Sequence, residues 1–202
     1  MRNRSFLMLV LLAAAVAGGS AVAGEQGDHG EMTPEMAEMM EKITKAGTPG
    51  EHHDHIARLA GDWTVKTKMW ETPEAEAIEG EGKASNRMIM GGRFLQSEYE
   101  STWMGEPFHG MGIEGFDNVL EKHIGIWFDT AGTTMLQFVG ECAKDGMVMT
   151  SVSEFTDPMT GGATTMKGTT TVVTDDVYTF ESWSPGPDGK PFKSMELTYT
   201  RK

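Results

Sequence analysis

The chain has 202 residues, a single cysteine and a formal charge of −13 at neutral pH. That length suffices for one domain with its own core plus a tail. One thiol excludes an internal disulfide framework, and so acidic a surface repels phosphate backbones, so nucleic acid is not an expected partner.

The chain opens with the pattern of a secretory signal peptide over residues 1–23. Arg2 and Arg4 form a basic start, Phe6 to Ala17 is an apolar run, and Ala21-Val22-Ala23 is a small-residue cleavage pattern. The run is shorter than the roughly 20 residues that span a bilayer, so no stable membrane span is expected once it is removed. The expectation is an exported protein, periplasmic or secreted. Residues 24–50 follow as a polar, glycine-rich leader that carries a short helix. Thr33 suits its cap, Pro34 its first turn and Gly47 its end. Met36, Met39, Met40 and Ile43, with Met32 just ahead, fall at helical spacing on one stripe. Thr48-Pro49-Gly50-Glu51 resembles a capping box that opens a second short helix, which carries Ile56 and Leu59 and stops at Gly61.

From Asp62 the hydrophobic period changes to two. Trp63, Val65, Thr67 and Met69 alternate with Thr64, Lys66 and Lys68, the pattern of a half-buried strand. Similar runs recur near 78–90, 92–104, 108–117, 121–129, 134–142, 146–156, 163–174, 177–184 and 191–201. Between them stand turn residues such as Gly91-Gly92, Asp117-Asn118, Lys144-Asp145-Gly146 and Pro187-Asp188-Gly189. About ten strands joined by short connections must pair antiparallel, mostly with sequence neighbours. An open sheet of that size leaves two edges and an unburied face, and closure into an up-and-down barrel removes both problems. The expected fold is therefore an all-β antiparallel barrel over residues 51–202, with a two-sheet sandwich as the alternative.

Several motifs strengthen that reading. His53-x-x-Ile56-x-x-Leu59-x-Gly61-x-Trp63 resembles the opening of an uncharacterised bacterial domain family with a calycin-like, lipocalin-related barrel. Gly91-Gly92-Arg93-Phe94-Leu95, the run from Pro107 to Asp117, Trp127-Phe128-Asp129, Asp157-Pro158-Met159-Thr160-Gly161 and Tyr199-Thr200-Arg201 are similar to its later signatures, in order. The resemblance covers about residues 53–202. It implies a calycin-like barrel and no catalytic residue, because the family has no established activity.

A barrel with an apolar lumen implies a small, mostly apolar ligand as the default partner. The expected lining includes Trp63, Val65 and Met69 from the first strand, Met88 and Met90 from the second, and Trp127 from the fifth. The small residues Gly80, Gly82 and Ala84 leave room on the second. The fifth strand offers either His123, Gly125 and Trp127 or Ile124, Ile126 and Phe128 to the interior, and a one-residue slip exchanges the faces. A barrel filled by its own side chains is the alternative.

Three other features carry chemistry. His52, His53 and His55 supply imidazoles at the domain entrance, with His52 and His55 on one helical face. They make a copper or zinc site one reading of the region, aided by His29, Asp28 and Asp54. The methionine stripe suits Cu(I) through its thioethers. It equally suits docking, either over the barrel mouth or onto a partner. His109, Glu114 and His123 are the residues from which a His–carboxylate pair for hydrolase or isomerase chemistry would be built. Cys142, at a strand end, reads as a buried structural thiol. Gly110-x-Gly112-x-x-Gly115 matches a dinucleotide fingerprint but lies inside a strand with no helix after it, so it is not a nucleotide site. No cofactor is named by any motif.

Overall fold

The computed structural model describes residues 32–202, so the expected signal peptide and the first part of the leader lie outside the described residues. Two helices precede ten strands: α1 (Pro34–Gly47), α2 (Glu51–Ala57), β1 (Gly61–Met69), β2 (Ile78–Ile89), β3 (Phe94–Trp103), β4 (Glu106–Asp117), β5 (Lys122–Asp129), β6 (Leu136–Cys142), β7 (Val148–Thr156), β8 (Ala163–Thr174), β9 (Val177–Pro185) and β10 (Pro191–Arg201). Each strand pairs antiparallel with its sequence neighbours, and β1 pairs with β10 to close the barrel. The expected all-β up-and-down barrel of ten strands is therefore the observed fold.

Register decides which faces turn inward. Trp63, Val65, Thr67 and Met69 of β1 lie opposite Ala84, Gly82, Gly80 and Ile78 of β2. Residues paired across a ladder share a face, so one inward row propagates around the wall. On β5 it contains His123, Gly125 and Trp127, opposite Phe116, Glu114 and Gly112 of β4. The other face, with Ile124, Ile126 and Phe128, turns outward.

One end of the barrel is plugged. Ile56 and Leu59 enter it and pack with Trp63, Val65, Leu95, Met149, Val172 and Tyr178, all at most 6% exposed. Trp63 anchors the plug. Its indole N–H donates to the Leu59 carbonyl at 3.0 Å, Tyr178 meets its ring edge-on with centroids 4.7 Å apart, and the Arg201 guanidinium lies over it at 4.1 Å. The same guanidinium donates to the carbonyls of Ala60 at 2.9 Å and Arg58 at 3.2 Å, tying the last strand to the start of the first.

One expectation about the helices needs correction. The cap of α2 is Gly50, and its partner is His53 rather than Thr48 with Glu51. The His53 Nδ1 accepts the Gly50 N–H at 3.0 Å. Thr48 instead donates its hydroxyl back to the Thr44 carbonyl at 2.6 Å, as part of the α1 end. Along the methionine stripe, Met36, Met39, Met40 and Ile43 are all exposed. The end of α1 is held at the plugged end by the two neighbouring turns. Asn118 donates to the carbonyls of Ala46 and Thr48 at 3.1 and 2.8 Å, and Arg93 to that of Gly47 at 2.7 Å.

Candidate functional site

Above the plug the inward rows do not fill the lumen. They enclose a cavity of about 730 Å³. Its wall is mainly apolar and aromatic, with Met69, Tyr99, Phe108, Trp127, Phe138 and Leu197 among its residues. It extends to the barrel end away from α2, where Ile78, Trp103 and Met104 border it and remain exposed. Room for Trp127 comes from Gly110 and Gly112 on the neighbouring strand, since a Cβ on Gly110 would stand 2.2 Å from its ring. The indole N–H donates to the Asp129 carboxylate at 2.8 Å, which holds the ring along the wall. The glycine pattern that mimics a nucleotide fingerprint is thus space for an aromatic side chain.

The sequence-predicted lining residues divide into three groups. Met69 and Trp127 border the cavity. Trp63 and Val65 face inward but are 1% exposed within the plug, and Met88 packs against the same cluster, so these three lie beneath the cavity. Met90 is the correction. It sits in the β2–β3 turn, 70% exposed, with φ of +51°, because the chain already reverses before Gly91-Gly92.

Asn86, Glu114 and His123 are polar side chains set into the inner part of this wall. Asn86 is 4% exposed; its amide donates to the Leu59 carbonyl at 2.9 Å and to the Tyr178 hydroxyl at 3.1 Å, which leaves its Oδ1 without a partner. Glu114 keeps some accessible surface, but that surface borders the cavity, and burial pushes its pKa up from 4.5 to about 7. His123 is 4% exposed with no partner at Nε2. Burial first, and then the neighbouring imidazoles of His52, His55 and His53, push its pKa down from 6.5 to about 4. Near neutrality His123 is uncharged and Glu114 is about half protonated. Buried polar atoms without partners are rare in proteins, and here Asn86 Oδ1 and His123 Nε2 both belong to residues that border the cavity while the atoms themselves are buried. Alternation with Ala84 and Met88 puts Asn86 on the inward face of β2, but nothing local in the sequence marks its orphaned oxygen.

The His–carboxylate pair expected for acid–base chemistry is not assembled. His109 is exposed, on the outer face of β4. Glu114 lies opposite Gly125 and His123 opposite Phe116, so the two are offset along the ladder, and no hydrogen bond joins them among the described residues.

At the entrance His52 and His55 share one face of α2, with ring centroids 5.7 Å apart. His52 stacks on Phe116 with centroids 4.0 Å apart. His55, 5% exposed, places Nδ1 3.7 Å from the Cys142 sulfur. His53 is committed to the α2 cap and turns elsewhere. Cys142 is half-buried rather than buried, and burial pushes its thiol pKa up.

A closed ten-stranded antiparallel barrel, plugged at one end and hollow above the plug, defines the class of this protein. The chain belongs to the family described as "Protein of unknown function (DUF1579)", whose model matches residues 48–201. No curated protein matches the sequence. Among solved structures it is similar to that of Rv2717c from M. tuberculosis, with a TM-score of 0.58 and 12% identity over 77% of this chain and 99% of that one. That likeness supports the barrel fold. A redesigned β-barrel, b11L5F_LGL, matches at a TM-score of 0.39 with 15% identity over 72% of this chain and 93% of the other.

Proposed function

We propose that the protein is an exported binding protein that takes one small, mostly apolar, uncharged or cationic molecule into its barrel. The observation that carries this reading is the cavity. Its volume of about 730 Å³ lies within the roughly 300–1,000 Å³ usual for small-molecule sites, and its wall joins apolar area to a few convergent polar groups. The charge preference follows from what surrounds it. Among the described residues no lysine or arginine borders the cavity, whereas Glu71, Asp129 and Glu114 do. An anionic head group would be desolvated there without a cationic partner, at a cost of several kcal/mol or about that order. The basic start, apolar run and Ala21-Val22-Ala23 support export.

A matched pair of fluorescent probes tests the reading. The neutral dye N-phenyl-1-naphthylamine is expected to bind with one-to-one stoichiometry and to receive energy transfer from Trp127. The related anion 1-anilinonaphthalene-8-sulfonate is expected to bind about tenfold more weakly or worse, a difference of about 1.4 kcal/mol. Equal affinity for the two would remove the charge argument, and no binding of either would remove the proposal.

A further inference from the structure

Outside the cavity, one group of metal-ligating side chains is drawn together from distant parts of the chain. His52 and His55 come from α2, and Cys142 from the end of β6. One ligand atom from each lies within 4.8 Å of the others. We propose that His52, His55 and Cys142 form a binding site for a divalent transition metal of the zinc class, with three protein ligands and an open fourth position.

The geometry is close to what such an ion requires. With Zn–S near 2.3 Å and Zn–N near 2.0–2.1 Å, tetrahedral angles place sulfur and nitrogen about 3.5 Å apart. The Cys142 Sγ and His55 Nδ1 are already 3.7 Å apart. Thiolate with imidazole is a donor set that suits zinc over the hard cations.

The surroundings hold these ligands in place. The other ring nitrogen of His55, Nε2, lies 3.9 Å from the Glu51 carboxylate, the arrangement in which a carboxylate orients a metal-bound imidazole from its far side. Gly146, in the β6–β7 turn at φ of +68°, presses on the His55 ring so closely that a Cβ there would stand 2.3 Å from it. His52 is fixed by its stacking on Phe116, yet its buried Nδ1 has no partner. An aromatic clamp that leaves a buried ring nitrogen unsatisfied beside a thiol and a second imidazole is explained by an ion that satisfies it. The site differs from the His52, His53 and His55 set suggested by adjacency, because Cys142 replaces His53.

Titration of the reduced protein with Co(II) under anaerobic conditions tests the proposal, with Zn(II) as competitor. One equivalent of Co(II) is expected to produce a near-ultraviolet thiolate-to-metal charge-transfer band that one equivalent of Zn(II) removes. Cys142→Ser should abolish the band, and His55→Gln should abolish tight binding. Glu51→Gln should weaken Zn(II) binding by about tenfold. His109→Gln, on the outer face, should leave everything unchanged, and far-ultraviolet circular dichroism reports whether each variant is folded. The wild-type band needs no variant, so misfolding of a mutant cannot rescue the idea. Absence of that band, or Zn(II) binding that persists undiminished in folded Cys142→Ser, would overturn it.

Discussion

Replacing Glu114 with glutamine is expected to stabilise the metal-free protein by about 3 kcal/mol above neutral pH and by almost nothing near pH 4. The sign follows from the direction of the shift. Burial raises the Glu114 pKa from 4.5 to about 7, so the folded protein retains a proton that the unfolded chain has lost. Stability contributed by this group therefore falls as pH rises between those values, and at higher pH the folded state bears a buried carboxylate. His123 acts in the opposite sense. Its pKa is lowered from 6.5 to about 4, so its contribution is complete above the upper value and is lost as pH falls toward the lower one. Over the overlap of the two windows the contributions cancel in the wild type. Glu114→Gln should unmask the histidine, giving stability that rises with pH relative to wild type. His123→Gln should unmask the carboxylate and give the reverse. Urea denaturation of the three proteins across the acid-to-neutral range checks this. Parallel profiles for wild type and Glu114→Gln would show that the carboxyl titrates as a solvated group.

Trp63→Ala should cost about 4 kcal/mol, the scale of removing a large buried aromatic side chain. The ring is 1% exposed and is the piece against which Leu59, Tyr178 and Arg201 are all arranged. Its loss opens a void at the plug, removes one of the two donors to the Leu59 carbonyl and removes the surface under the Arg201 guanidinium. Trp103→Ala offers the contrast. That ring is 40% exposed at the mouth, so its removal should cost about 1 kcal/mol or less. Denaturant midpoints at constant slope measure both. A Trp63→Ala loss as small as that of Trp103→Ala would mean that the plug does not hold the barrel closed.

The barrel was legible because each strand repeats one simple signal. Alternation from Trp63 to Met69 and turn residues such as Lys144-Asp145-Gly146 are local, and antiparallel neighbours need no long-range information to pair. The site was legible only in fragments. Trp127 and Met69 could be named as lining, but which face of β5 turns inward depends on register with β4, where Glu114 meets Gly125. Met90 was misplaced because alternation continues one residue past the point where the backbone enters the turn. The Glu114 shift depends on the closure of all ten strands around it and has no local signature. The meeting of His55 with Cys142 joins residues 87 apart in sequence. Local spacing groups His53 with its neighbours and offers no way to see that the thiol, and not His53, completes the set.

The proposed ligand site is the barrel interior and not its surface. Ser97 borders the cavity on β3, beside Asn86 and Gly112 in register, whereas Lys66 is exposed on the outer face of β1. The most direct measurement is N-phenyl-1-naphthylamine affinity in Ser97→Phe and Lys66→Phe, with folding of each confirmed by its denaturation midpoint. Ser97→Phe is expected to fill the lumen and weaken dye binding about tenfold or more, a change of about 1.4 kcal/mol, while Lys66→Phe should bind as wild type does. Wild-type affinity in a folded Ser97→Phe protein would contradict it.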